Sequence, residues 1–157
     1  MALLKNERSV PISIETEEAI KLEPEQSHGM QAYRALRFAY VIIPIIAGFD
    51  KFFDFTTNWD DYVSPAITDP LGISAHGFMM TAGVIEIVAG IGVALFPRVF
   101  GYVVSAWLVG AVANLLILGN YYDIALRDLG LAVGAFALGK LSQHFAPVPR
   151  RRLQALQ

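Results

Sequence analysis

The stretch FMMTAGVIEIVAGIGVALFPRVFGYVVSAWLVGAVANLLILGNYY, residues 78–122, decides the fold. From Phe78 to Pro97 it carries one charge, Glu86, and from Val99 to Tyr122 it carries none. A helix crossing the hydrocarbon core of a bilayer, about 30 Å thick, needs about 20 mostly apolar residues. Both halves meet that requirement, and the Pro97-Arg98 step between them marks a tight turn. The quoted stretch therefore predicts two consecutive membrane spans.

Two weaker blocks flank this pair. Residues 38–49 and 129–139 are uncharged but too short to span alone. Each extends with further apolar residues, Phe52, Phe53 and Phe55 in the first and Ile124, Ala125 and Leu126 in the last. A lone central hairpin would leave both blocks without an apolar partner. The expectation is an all-α membrane protein, a four-transmembrane-helix up-and-down bundle. Its spans fall near 34–55, 76–97, 99–119 and 123–142, within a membrane domain over 32–142.

Orientation follows from the basic residues, because short loops rich in Lys and Arg stay in the cytoplasm. Arg34 and Arg37 precede the first span, Arg98 separates the second and third, and Lys140, Arg150, Arg151 and Arg152 follow the fourth. The 56–75 loop holds Asp60, Asp61 and Asp69 and no Lys or Arg, and the turn at 119–123 has no Lys or Arg either. Both termini are thus expected in the cytoplasm. Trp59, Tyr62, Tyr121 and Tyr122 fall at the outer interface, where amphipathic rings are favoured. The outer loop is long for a simple connection and is expected to pack as a cap.

The chain has 157 residues, of which 55% are apolar, above the about 45–50% of soluble domains. Its mean hydropathy is +0.48. A formal net charge of −2 gives no basic field for nucleic acid. The absence of cysteine excludes disulfides, thiolate metal sites, iron–sulfur clusters and thiol catalysis. Residues 1–31 read as a polar, mildly acidic, weakly ordered tail, with a short strand at 13–17 or a helical turn at 16–22 as alternatives. Residues 143–157 read as a basic tail.

Charges inside a membrane are costly and face a bundle interior or a cavity. Span one ends in Asp50, Lys51 and Asp54, span two has Glu86, span three Asn114, and span four opens on Arg127 and Asp128. At a rise of about 1.5 Å per residue, Glu86 lies roughly 15 Å below His76, near mid-bilayer. Asn114 lies roughly 7 Å below Gly119, and Arg127 roughly 6 Å below Asp123. The first and last helices of such a bundle are neighbours, so Asp50 is expected to pair with Arg127 and Lys51 with Asp128. Snorkelling of Lys51 and Arg127 to the interface is the alternative.

Glu86 shares a face with Ala82, Ala89, Gly90 and Val93, small residues that mark close packing. Ala106, Gly110 and Asn114 repeat this pattern on span three, and Gly130 and Gly134 on span four. Glu86 is expected to face the bundle interior without a clear partner. It could hydrogen-bond Asn114, pair with Arg127, relay a proton, or bind a head group together with Asn114 and His76. Pro44 is expected to kink span one. The histidines, His28, His76 and His144, lie at unmatched depths and do not form a haem site. Met79 and Met80 read as packing residues. No phosphate-binding glycine loop, Ser-His-Asp arrangement or metal site is recognisable, and no cofactor is identifiable; a quinone or a lipid remains the ligand to consider.

With these spans placed, three stretches carry a family resemblance: LRFAYVIIPIIAGFDKFFDF at 36–55, GVIEIVAGIGVALFPRVFGYVV at 83–104 and YYDIALRDLGLAVGAFALGK at 121–140. The chain resembles the DoxX family of small four-helix membrane proteins over residues 36–141, with Glu86, Gly90 and Arg98 at matching positions. It departs where many relatives end in Ser-Leu-Asp and this chain has LSQHF. The resemblance implies a bacterial-type inner membrane and a setting in quinone-linked redox chemistry. The expected role is an accessory subunit of a larger membrane complex, with other membrane proteins as partners and no independent catalysis. The alternatives are a quinone-linked oxidoreductase component using Glu86 and Asn114, and an oligomeric transporter.

Overall fold

The computed structural model describes residues 14–146, with side chains from Ser27 onward. Its elements are helices α1 (Ile14–Asp50), α2 (Pro65–Leu71), α3 (Ala75–Leu95), α4 (Pro97–Leu118) and α5 (Tyr122–Phe145), with a 3-10 turn at Trp59–Tyr62. There is no strand among the described residues. Helix α1 takes in residues 14–31 as well, so the stretch read as a polar tail, with a helical turn at 16–22 as one alternative, is helical from Ile14. It runs unbroken through Pro44 and ends at Asp50, five residues before the expected end at 55.

Each boundary has a local cause. The Ser64 and Ser74 hydroxyls accept hydrogen bonds from the Ala66 and Gly77 amides, capping α2 and α3. Pro97 opens α4, where its missing N–H costs nothing, and holds Phe96 out of the helical region. Gly119, at φ 77°, closes α4 in the left-handed conformation, its amide bonded to the Leu115 carbonyl.

Helix α1 packs on α3, α3 on α4, α4 on α5, and α5 returns to α1, closing a ring of four long helices. Small residues bring two of these pairs close. A Cβ on Gly48 would lie 2.5 Å from the Gly83 carbonyl oxygen, and one on Gly90 would lie 2.8 Å from that of Val41, so α1 and α3 touch backbone to backbone. A Cβ on Gly101 would lie 2.7 Å from the Gly139 amide, which seats α4 on α5 in the same way. Gly110 and Gly130, which share the small-residue spacing, do not pack: a Cβ at either would meet nothing within 4 Å.

The main core lies toward the end where α3 turns into α4. Tyr33, Tyr40, Ala89, Val93, Val104, Ala135 and Leu138 fill it. Hydrogen bonds cross between helices there: Tyr40 Oη donates to the Leu131 carbonyl at 2.5 Å and Ser105 Oγ to that of Ala132 at 2.9 Å. Arg98 donates to the carbonyls of Ser142 (3.1 Å) and Ala146 (2.6 Å), joining the start of α4 to the end of α5. In a smaller cluster, Val63 of the 56–75 loop packs with Met79 and Ala82 of α3, so the loop sits as the expected cap.

Three helical segments, Ser27–Asp50, Ala75–Leu95 and Pro97–Leu118, are long and apolar enough to cross a membrane. Their outward faces are apolar, with Phe38, Ile46, Val88, Ile91, Val99 and Ile117 exposed. Such a surface suits lipid rather than water. Helix α5 has a comparable length, but Asp123, Arg127, Asp128 and Lys140 lower its hydropathy.

Candidate functional site

The chain leaves α1 through a turn organised by Asp50. Its carboxylate accepts hydrogen bonds from the Phe55 amide (3.1 Å), the Thr56 amide (3.2 Å), the Thr56 hydroxyl and Trp59 Nε1 (2.8 Å). Asp50 thereby fixes the Trp59 indole over the next residue. Lys51 Nζ lies 3.9 Å from the centroid of that ring, a cation–π contact.

Lys51 pairs with Glu86. Its Nζ donates to Glu86 Oε2 at 2.7 Å, and the two side chains are 6% and 17% exposed. The close approach of α1 and α3 explains the match. Lys51 Cβ lies only 3.3 Å from where a Cβ of Gly83 would stand, and its flexible stem runs along α3 to Glu86, three residues on. The other oxygen of Glu86 accepts from Trp107 Nε1 at 3.4 Å.

These contacts differ from the expected pairs. Asp50 is not joined to Arg127, because the turn after α1 consumes its acceptors. Lys51 is not joined to Asp128, because Glu86 is held in reach by the glycine contact. Arg127 lies 3.5 Å from its chain neighbour Asp128, with the arginine 65% exposed and the aspartate 16%. Glu86, expected to lack a partner, has one.

A cavity of about 470 Å³ occupies the space between α3, α4 and α5 beneath the 56–75 loop. Lys51 and Glu86 lie on its wall, as do Arg127 and Asp128. Two cations and two carboxylates balance, so the cavity is neutral when all four are ionised. Aromatic rings supply much of the rest: Trp59 and Tyr62 from the loop, Phe78 from α3 and Trp107 from α4. A mostly apolar hollow with a few convergent polar groups is the usual character of a small-molecule site.

No family model, curated protein or solved structure matches the chain. The geometry alone therefore sorts the residues singled out in the sequence. Glu86 lines the cavity. Asn114 lines it too, but its amide is committed to the cap: Oδ1 accepts from the Ser64 amide at 2.8 Å and Nδ2 donates to the Tyr62 carbonyl at 2.6 Å. His76 stands apart, largely exposed and 3.5 Å from Asp60. Among the described residues, no three His, Cys, Asp or Glu side chains converge to hold a metal ion.

Trp107 and Trp59 are among the cavity residues that sequence reasoning missed. For Trp107 a signal existed. It lies seven residues before Asn114 on α4, and so on the same helix face. Trp59 carried none beyond its expected place at the interface.

Asn114→Ala should free the cap without unfolding the bundle. It leaves the Tyr62 carbonyl and Ser64 amide without partners, at a cost of about 1–3 kcal/mol. Hydrogen exchange of the 62–72 amides is expected to quicken while that of 98–110 stays as in the native chain. Equal protection in both segments would show that the amide does not hold the loop.

Proposed function

We propose that the chain is a four-span inner-membrane protein of bacterial type, that its termini face the cytoplasm, and that its cavity binds the head group of a quinone-type ligand. The observation that carries this reading is the cavity itself, lined by the Lys51–Glu86 pair and by two indoles. A quinone ring is neutral, stacks on aromatic faces and offers carbonyl acceptors to Lys51 or Trp107. The sequence resemblance to DoxX-like proteins points to the same chemistry, and to a place as a component of a larger membrane redox complex.

The fourth span is supported by the outward face of α5. Leu126, Leu129, Val133 and Phe136 recur there at helical spacing and are exposed. Of the charges that lower its hydropathy, Arg127 and Asp128 line the cavity and Asp123 lies in its first turn. The basic residues at Arg34, Arg37, Arg98 and Lys140 support the orientation. A transport role has less support, since the core beyond the cavity is filled by Val93 and Leu138, both wholly buried.

The two tryptophans of the chain both line the cavity. Their fluorescence is therefore a direct probe of its occupancy. Titration of the purified protein with 2,3-dimethoxy-5-methyl-1,4-benzoquinone should quench that emission along a saturable curve. Quenching that rises linearly, as for free tryptophan in the same detergent, would remove the head-group reading. Recovery of the native chain in a stoichiometric complex would support the subunit role, and recovery as a lone species would count against it.

A further inference from the structure

We infer that the cavity opens sideways into the bilayer, through the seam between α3 and α4, and admits a ligand carrying an apolar chain. This inference rests on the head-group reading above and adds the path and the tail.

The seam widens with distance from the Pro97 turn. At the turn the two helices touch, for a Cβ on Gly92 would collide with the ring of Phe100. Seven residues along a helix return to nearly the same face. Stepping seven from Gly92 gives Ile85 and then Phe78; stepping seven from Phe100 gives Trp107 and then Asn114. Ile85 lies on the face that Gly92 presents to α4, yet it is 39% exposed. Phe78 and Trp107 reach the cluster beneath the loop and line the cavity, and the one side-chain bond named between α3 and α4 at this level is the long one from Trp107 Nε1 to Glu86, 3.4 Å. At the far end Asn114 ties α4 to the cap at Tyr62 and Ser64 rather than to α3. The helices thus diverge as a V whose apex is the turn, whose interior is the cavity and whose top carries the loop.

The lipid side of this V is not closed by side chains. Ala106 and Gly110 line the cavity and are also exposed. They lie on the outward face of α4 beside Val103 and Ile117, which are 43% and 58% exposed. A Cβ at Gly110 would meet nothing within 4 Å. The opening therefore lies within two segments apolar enough to cross the membrane. Its rim is small and apolar, while the polar groups Lys51, Glu86 and Asp128 lie on the cavity wall. An amphipathic molecule fits this order, with its head among the charges and its chain passing between Ala106–Gly110 and Ile85 into lipid.

Two quinone probes test the path, the tailless ring named above and its 10-decyl analogue, read by tryptophan quenching on protein in phospholipid nanodiscs. Gly110→Leu places a side chain in the opening, where its Cβ meets nothing within 4 Å. Ala106→Leu, one turn nearer the apex, is read in the same way, so the test does not depend on one variant folding. The expected result is a loss of about tenfold or more in affinity for the decyl probe, with the ring changed by less than about twofold. Equal affinities for native and variant proteins, or equal losses for both probes, would overturn the lateral path. Failure of both probes to quench the native protein saturably would instead overturn the head-group reading, and the path with it.

Discussion

Glu86→Leu is expected to destabilise the protein by about 3–5 kcal/mol, because it leaves Lys51 charged, buried and unpartnered. Lys51 is 5% exposed, covered by Trp59 and committed to Glu86 at 2.7 Å. The reverse change, Lys51→Met, should cost less, since Glu86 keeps the Trp107 Nε1 hydrogen bond when the lysine is gone. The double variant Lys51→Met/Glu86→Leu should recover most of the loss, because replacing both partners by apolar groups is often near neutral. Denaturant-induced unfolding in mixed micelles measures all three. If Glu86→Leu unfolds at the native midpoint, the pair contributes nothing to stability.

Gly101→Val is the second large effect. Its Cβ would stand 2.7 Å from the Gly139 amide and 3.1 Å from the Ala135 carbonyl oxygen, both backbone atoms that cannot rotate away. The helices must separate, and overpacking of this kind costs about 1–3 kcal/mol or more. Contacts formed around the approach would loosen with it, including Ser105 to the Ala132 carbonyl. Gly110→Val is the matched control on the same helix. It meets open space and should shift the midpoint by no more than about 0.5 kcal/mol. Equal effects from the two would show that helix propensity, not close packing, governs both positions.

The contrast between those glycines shows what the sequence could reveal. Gly101 and Gly110 look alike in a row of apolar residues, and only the neighbouring helix separates them. Helix positions were legible because the signals are local. The spans expected at 76–97, 99–119 and 123–142 fall within three residues of α3, α4 and α5 at every boundary. Pro97 and Gly119 punctuate the chain where they should. The start of α1 was not legible, because its first turns are polar and acidic, as a solvated tail would be. For the buried charges, the sequence supplied depth but not direction. Helix order placed Asp50 and Lys51 beside Arg127 and Asp128. It could not show that Gly48 and Gly83 draw α1 onto α3, nor that a lysine stem reaches along a helix to a carboxylate deeper in the bundle. Cavity-facing Glu86 was legible as an interior residue, whereas the commitment of Asn114 to the cap depends on a loop whose path no periodicity describes.

Helix α5 bears on how the protein is made. On the four-span reading it leaves the ribosome after α4 and is the least able of the four to partition into lipid unaided. The short Gly119–Tyr121 turn and the Gly101–Gly139 approach couple it to α4, the charge-poor helix synthesised immediately before it. The pair can therefore pass into the bilayer as one hairpin, with α4 supplying the hydrophobic drive and the preceding helices receiving Arg127 and Asp128 on arrival. Synthesis order then matches energetic need: the segment that depends most on its neighbours is delivered after all of them.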